Sequence, residues 1–542
     1  MLRKPDNSCE TKIFMQCPDK LKEKWKVNKK TLFICLIVTF IWGLIAHSYG
    51  FFSGAFSHDS LNEFNALNGI YSWKIQLGRV IVPLYRMIFR GALTMPWLIG
   101  LLSLFFIGLT VFLITKIFRI RSVWMIVIIA GIFTVNQTVT ATAATYIGDL
   151  DSNMMALLLS VFAVYLWQRF RFGWLAGIIP VGLSMGLYQS YVSVTITLVL
   201  IYLILELLNS AGTAKTVFIE GIEAVAMLIG GGILYIILMK AVCFVTGISI
   251  LSGAYNSVDT FTTLSFGELI YYAFRAYLES CYNILAPISL YSYKLVIALH
   301  IIMILIGAYF VIRKWIHIEW KEKLLTFVLI LLLPLGMNVA YVLAGGMGHD
   351  IMYYAMWLTY LLVILLAQSN FKDHAIITGK EARRYIRSGL AVISVCLVCI
   401  SLWSNVQVAN AVYLKKDLEA EASLSLFTRI VYQMEQVEGY VPGETPVVFV
   451  GDPNEQIEEG WGYGRISELT GASYTSVLGA ALRTYYQRYF DYVLMNPAVM
   501  ADAETWDEIT ADEIVADMPS YPESGSIQLI DGVLVVKLSE SD

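Results

Sequence analysis

The chain has 542 residues, of which 57% are hydrophobic and only 15% charged, with a mean hydropathy of +0.65. Soluble proteins carry about 25% charged residues, so this composition excludes an ordinary soluble enzyme, and its 13% of aromatic residues exclude a disordered chain. The net charge of −4 conceals two unlike parts: residues 408–542 hold about 23 acidic and 7 basic side chains, leaving about 31 basic and 19 acidic ones for residues 1–407. A basic, apolar body carries an acidic, water-soluble tail, which is the composition of an integral membrane protein.

In chain order, the leader 1–30 ends in a lysine-rich stretch (Lys20, Lys22, Lys24, Lys26, Lys29, Lys30) that holds the N-terminus in the cytoplasm. The first apolar run, 31–51, is too long for a signal-peptide core and lacks a small-residue cleavage site, so it reads as an uncleaved anchor. Ten more runs follow at 92–115, 123–145, 153–168, 174–188, 191–208, 217–247, 294–312, 324–343, 351–368 and 389–407. With about 20 residues needed per crossing, they predict eleven spans over 31–407 and an extracytoplasmic domain over 408–542. In this scheme the basic connections at 116–121, 169–171, 215, 313–323 and 372–387 all fall on the cytoplasmic side. Pro180 interrupts the run 174–188; fusing that run with 191–208 would reverse the parity and move the downstream basic loops outside, so two helices are expected.

The opposite side collects carboxylates, histidines and aromatics, in loops 52–78, 146–152, 188–191, 248–293 and 344–350. In the tail, 417–437 has helical periodicity through Leu424, Phe427, Ile430, Val431 and Met434. Strands are expected at 445–452, 490–495 and 532–537, which makes the tail a small α/β domain. The Gly451-Asp452 turn fits either a ligand contact or a simple turn. None of the seven cysteines lies in the tail, and Cys396 and Cys399 sit in an apolar run with no second pair to complete a zinc site. No internal repeat, phosphate loop or nucleic-acid patch is present.

Asp59 and Glu63, four residues apart in the first outer loop, would share one helix face, where a carboxylate can take a proton from an acceptor hydroxyl. The other reading is a solvated loop whose acids cap a helix. Asp149 and Asp151 open a helix and are ordinary N-terminal acids. Yet the preceding run 134–146 is rich in threonine and holds Asn136 and Gln137, which points to a wet cavity where Asp149 and Asp151 can meet a sugar or its acceptor. Arg79 follows the acidic loop at the membrane surface, where its fork can bind phosphate with help from Lys74, Arg86, Arg90 or Arg275, or can reach to lipid headgroups. His349 and Asp350 form a pair in a glycine loop or a helix cap. Tyr188, Gln189 and Tyr191 can stack on and hydrogen-bond a sugar, or belong to an interface belt.

Taken in order, a short leader, one span, an acidic outer loop, Gly78-Arg79 with Pro83, YIGDLDSNMMA from Tyr146, and Gly186 through Tyr191 resemble the Gtr type II glucosyltransferases of the glycosyltransferase C superfamily. The resemblance covers about residues 30–410 and implies an α-helical polytopic fold in a bacterial cytoplasmic membrane. It implies a polyprenyl-phosphate sugar donor, used outside that membrane, and an envelope polysaccharide or teichoic acid as acceptor. It also implies an upstream polyprenyl-phosphate glycosyltransferase and a flippase as suppliers. The family's acidic pair followed by a basic residue stands here as His58-Asp59 with Asn62, so the base role goes to Asp59, with Glu63 as substitute, and the arginine before the proline maps to Arg79. Because a polyprenyl phosphate leaves readily, no cofactor is called for and a divalent metal is optional. A polysaccharide polymerase uses the same outer residues. A lipid-linked sugar flippase would show internal repeats and mid-membrane charges, and Lys240 is the main charge of that kind.

Overall fold

The computed structural model describes residues 18–57, 60–61, 70–251, 264–372, 381–456, 464–474 and 482–540. It is mostly helical, with a small sheet near the C-terminus. The helices are α1 (Pro18–Phe52), α2 (Ile70–Gln76), α3 (Val82–Phe89), α4 (Pro96–Ile117), α5 (Val123–Thr134), α6 (Gln137–Thr145), α7 (Ile147–Arg169), α8 (Gly173–Leu187), α9 (Val192–Leu208) and α10 (Ala214–Thr246). After them come α11 (Phe266–Leu285), α12 (Tyr293–Trp315), α13 (Trp320–Met337), α14 (Val339–Leu343), α15 (Leu358–Lys372) and α16 (Glu381–Met434).

Among the described residues, seven helical segments are long and apolar enough to cross a bilayer, and the bent pair α5–α6 would make an eighth. Gly173–Leu187 and Tyr354–Ser369 are apolar but shorter. The body of the protein is therefore a membrane bundle, with helices at each of the eleven apolar runs. Pro180 lies inside α8 without breaking it. The chain turns instead at Tyr188, whose extended backbone (φ −158°) separates α8 from α9, so 174–208 is two helices as expected.

The polar run at 134–146 has a definite structural use. α5 and α6 meet at 41° because the Asn136 side chain accepts from the Val139 amide and donates to the Ile132 and Phe133 carbonyls, competing with the helix's own ladder. α6 is buried throughout; Thr140 and Thr142 bond back to carbonyls one turn earlier, and Gln137 and Thr138 find tertiary partners. Gln137 donates to the Ile288 carbonyl (2.6 Å) and to Asn405 (3.0 Å), and Thr138 donates to the Asp350 carbonyl (2.9 Å). Such a helix is tolerable at membrane depth only when protein surrounds it.

Two expectations change. The stretch 248–293, read as an outer loop, contains the 20-residue amphipathic helix α11, started by a capping box in which Ser265 and Glu268 serve each other's amides. The expected boundary at 407/408 is crossed by α16, a single helix of 54 residues. No glycine or proline stands between residues 390 and 434 to stop it, and its end enters the soluble domain with Phe427, Ile430 and Met434 buried.

The C-terminal domain is the expected small α/β unit. Its sheet has the order β2-β1-β4-β3, with β1 (Pro446–Val450) parallel to both β2 (Val499–Met500) and β4 (Val533–Lys537), and β3 (Ile527–Ile530) antiparallel to β4. The strand expected at 490–495 is instead Phe490–Leu494, a π-helical continuation of α17 (Leu482–Tyr489). Its short apolar run resembles a buried strand, but following the preceding helix lets Tyr489 and Phe490 pack on Phe427 (5.2 and 6.2 Å between ring centres). Gly451, at φ +86°, is a packing turn: a Cβ there would lie 2.5 Å from the Ser539 backbone, and the Asp452 amide donates to the Ser539 hydroxyl.

Candidate active site

Residues 70–91 carry the cations. Gly78 adopts φ +74°, which turns the chain after α2, and the Ile81 amide donates to the Gly186 carbonyl at 2.9 Å. A Cβ on Gly186 would lie 2.5 Å from Ile81, so glycine lets α8 approach this closely. From α10, the Tyr235 hydroxyl donates to the Gly78 carbonyl (3.1 Å), while Gln189 donates to the Leu77 carbonyl (3.1 Å) and to Tyr235 (2.9 Å). The turn is thus clamped from two sides.

That clamp directs four cations at the start of α7. Asp149 accepts from Lys74 (2.6 Å), Arg79 (2.9 Å) and Arg86 (2.8 Å), and Asp151 accepts from Arg90 Nε (2.7 Å). Arg86 and Arg90 both also donate to the Gly148 carbonyl. Both carboxylates are buried, and each sits where a helix N-terminus favours negative charge. The Arg79 side chain is 14% exposed, against 9% for Lys74 and none for Arg86 or Arg90, and its guanidinium lies 4.6 Å over the Tyr188 ring.

Beside this cluster, a cavity of about 390 Å³ opens between α6, α11, the segment 348–360 and residues 465–470 of the C-terminal domain. His349 joins the two: it lines the cavity, and its ring lies 6.0 Å from that of Tyr146, the residue before α7. Burial pushes His349 below its ordinary pKa; Asp350 opposes this and Arg79 adds to it. Its Nδ1 accepts from the Ile351 amide at 3.4 Å, which requires an unprotonated nitrogen. Asp350 receives the Thr470 amide at 2.8 Å, and Glu279 receives the Tyr353 hydroxyl at 2.7 Å.

The expected site residues separate as follows. Lys74, Arg79, Tyr188, His349 and Asp350 gather around the start of α7 and the cavity. Asp149 and Asp151, expected to meet a sugar, are buried under their cations, because three arginines and a lysine at membrane depth need counter-ions. Tyr191 is only 1% exposed and packs on Tyr354 (5.5 Å), and Gln189 spends its amide on the clamp. Arg275 donates to Tyr341 from the exposed side of α11 and does not join the cluster. Asp59 and Glu63 lie outside the described residues. Earlier in the same loop, Ser57 donates to the Thr145 carbonyl at the end of α6. Sequence reasoning misses Glu279, Arg465 and Glu468. The capping box at Ser265–Glu268 is the sequence signal that reveals the helix carrying Glu279.

The glucosyl transferase GtrII family model matches residues 48–367, more than half of the chain. The chain belongs to that family. The matched region takes in the cation cluster and the membrane-side wall of the cavity, and leaves out all of α16 and the C-terminal domain. This GtrII member is a glycosyltransferase held in a membrane. No curated protein and no solved structure matches the chain.

Proposed function

We propose that this GtrII member moves a hexose, glucose first among them, from a polyprenyl phosphate to a hydroxyl of an envelope polysaccharide or teichoic acid. The reaction runs on the outer face of a bacterial cytoplasmic membrane, with eleven spans, the N-terminus inside and the C-terminal domain outside. A polyprenyl-phosphate glycosyltransferase and a flippase supply the donor. Asp59 takes the acceptor proton, with Glu63 as its substitute. The acceptor oxygen attacks the anomeric carbon, the bond to the phosphate oxygen breaks, and configuration inverts.

The observation that carries this reading is the placement of Arg79. It is the most exposed of the cations on Asp149 and Asp151, it is oriented by Asp149 and Tyr188, and it stands within electrostatic reach of cavity-lining His349. A guanidinium held in this way presents its remaining N–H groups to a phosphate and stabilises charge developing on a leaving group. Lys74 assists from the same carboxylate. Asp149 and Asp151 keep the cations at fixed positions, and Tyr188 is the aromatic surface nearest to the donor.

The test incubates membranes containing the protein with labelled polyprenyl-phosphate glucose and envelope acceptor, comparing wild type with Asp59→Asn at equal protein level. Transfer of one sugar per site that collapses in the variant supports both the reaction and the base. Transfer that survives moves the base role to Glu63. Lengthened acceptor chains would mark a polymerase, and failure with every donor would sink the reading.

A further inference from the structure

We infer that the cavity at the domain junction is the acceptor subsite, that the C-terminal domain supplies part of its wall, and that it takes a neutral glycan rather than a phosphate-bearing polymer. This rests on the transfer reading above. The wall contributed by 465–470 lies outside the region that matches the family, so it belongs to this chain's own tail.

The tail is fixed to the membrane body at this place. Arg465 donates to the Ala286 carbonyl at 2.9 Å, pairs with Glu468 at 2.8 Å, and lies 5.1 Å over the Tyr293 ring. The Thr470 amide donates to Asp350, and Gly471 sits so close to α6 that a Cβ there would be 2.0 Å from Thr145 Oγ1. Both domains therefore shape one cavity, which His349 also lines.

Its chemistry suits sugar hydroxyls. Glu279, Asp350 and Glu468 are acceptor-only when ionised, and Tyr282, Tyr353 and Trp357 offer rings on which the apolar face of a pyranose can lie. Three carboxylates face one guanidinium, Arg465, which already pairs with Glu468; the neighbouring His349 is neutral. A polymer carrying a phosphate on each unit would meet like charge here, whereas a neutral glycan would not. At about 390 Å³ the cavity has room for a sugar unit or two.

The test uses the full-length protein in nanodiscs, with Glu468→Lys and Glu279→Gln as independent variants from the two walls. The acceptor KM should rise tenfold or more in each, while the donor KM moves less than twofold. An acceptor KM unchanged in both variants, or a donor KM rising in step, would overturn the inference. Direct binding separates this result from a failure of the transfer reading. Maltohexaose, mannohexaose and chitotetraose would be compared with poly(glycerol phosphate) for protection of residues 464–474 against hydrogen exchange. If wild type transfers nothing from any donor, protection by a neutral oligosaccharide that is lost in Glu468→Lys still upholds the cavity as a glycan site. No protection by any of the three, or stronger protection by poly(glycerol phosphate), overturns it.

Discussion

The guanidinium of Arg79 lies 4.6 Å over the ring of Tyr188 while its Nη1 donates to Asp149 at 2.9 Å, so one arginine is aimed by a ring and a carboxylate at once. A partly desolvated cation–π contact contributes about 1–2 kcal/mol. Tyr188→Ala should therefore raise the donor KM by roughly five- to thirtyfold, since about 1.4 kcal/mol is tenfold. Arg79→Lys keeps the charge and loses the fork, so kcat/KM should fall at least about tenfold. Steady-state kinetics against donor concentration decide both, and an unchanged donor KM in Tyr188→Ala would remove Arg79 from the donor site.

Asp149 and Asp151 should differ in what their loss costs. Asp149→Asn strips the counter-ion from Lys74, Arg79 and Arg86 together, and breaking a buried pair costs about 3–5 kcal/mol. After Asp151→Asn, Arg90 still donates to the Gly148 and Leu93 carbonyls. Thermal unfolding in detergent should show the larger fall in Tm for Asp149→Asn. Equal falls would contradict this division of partners.

His349 links stability to pH in a defined direction. Its folded pKa is lowered by burial, so protonation favours the unfolded chain. Its contribution is complete above the ordinary histidine range, near 6.5, and is lost as pH falls from there towards the folded value. Acidification should destabilise wild type more steeply than His349→Gln. The difference between their unfolding curves across that window is the measurement, and parallel curves would refute it.

Two glycines of like backbone provide a controlled comparison. Gly471 (φ +83°) presses on Thr145, while Gly532 (φ +81°) turns β3 into β4 and has open space, with nothing within 4 Å, where a Cβ would stand. Each alanine substitution incurs the left-handed strain of about 1–3 kcal/mol. Only Gly471→Ala also pushes the tail away from α6. Hydrogen exchange at 464–474 should speed up in Gly471→Ala alone, with a loss of transfer.

Much of the fold is legible in the sequence. Apolar runs of membrane length announce the helices, and Phe427, Ile430 and Met434, at helical spacing, are indeed buried. Leu424, counted on the same face, is 43% exposed. The segment 490–495 misleads because a short, mostly apolar run fits a strand or a buried helix equally well, and only the packing of Tyr489 and Phe490 on Phe427 selects the helix. At the site, Arg79 and Lys74 are recognisable as cations near a membrane surface. That Asp149 is their shared counter-ion is not, because 75 residues separate it from Lys74.

Composition and periodicity alone determined that this chain lives in a membrane, where its helices fall, and that an acidic α/β tail follows them, because burial in lipid and helix pitch are local properties of the residues. Its order of short motifs also determined the family. The tertiary structure decided which charges pair, that α16 runs unbroken from bilayer to soluble domain, and that Glu279 and Glu468 face one cavity. Those are long-range contacts between side chains that share no periodicity, and they exist only once the helices have packed.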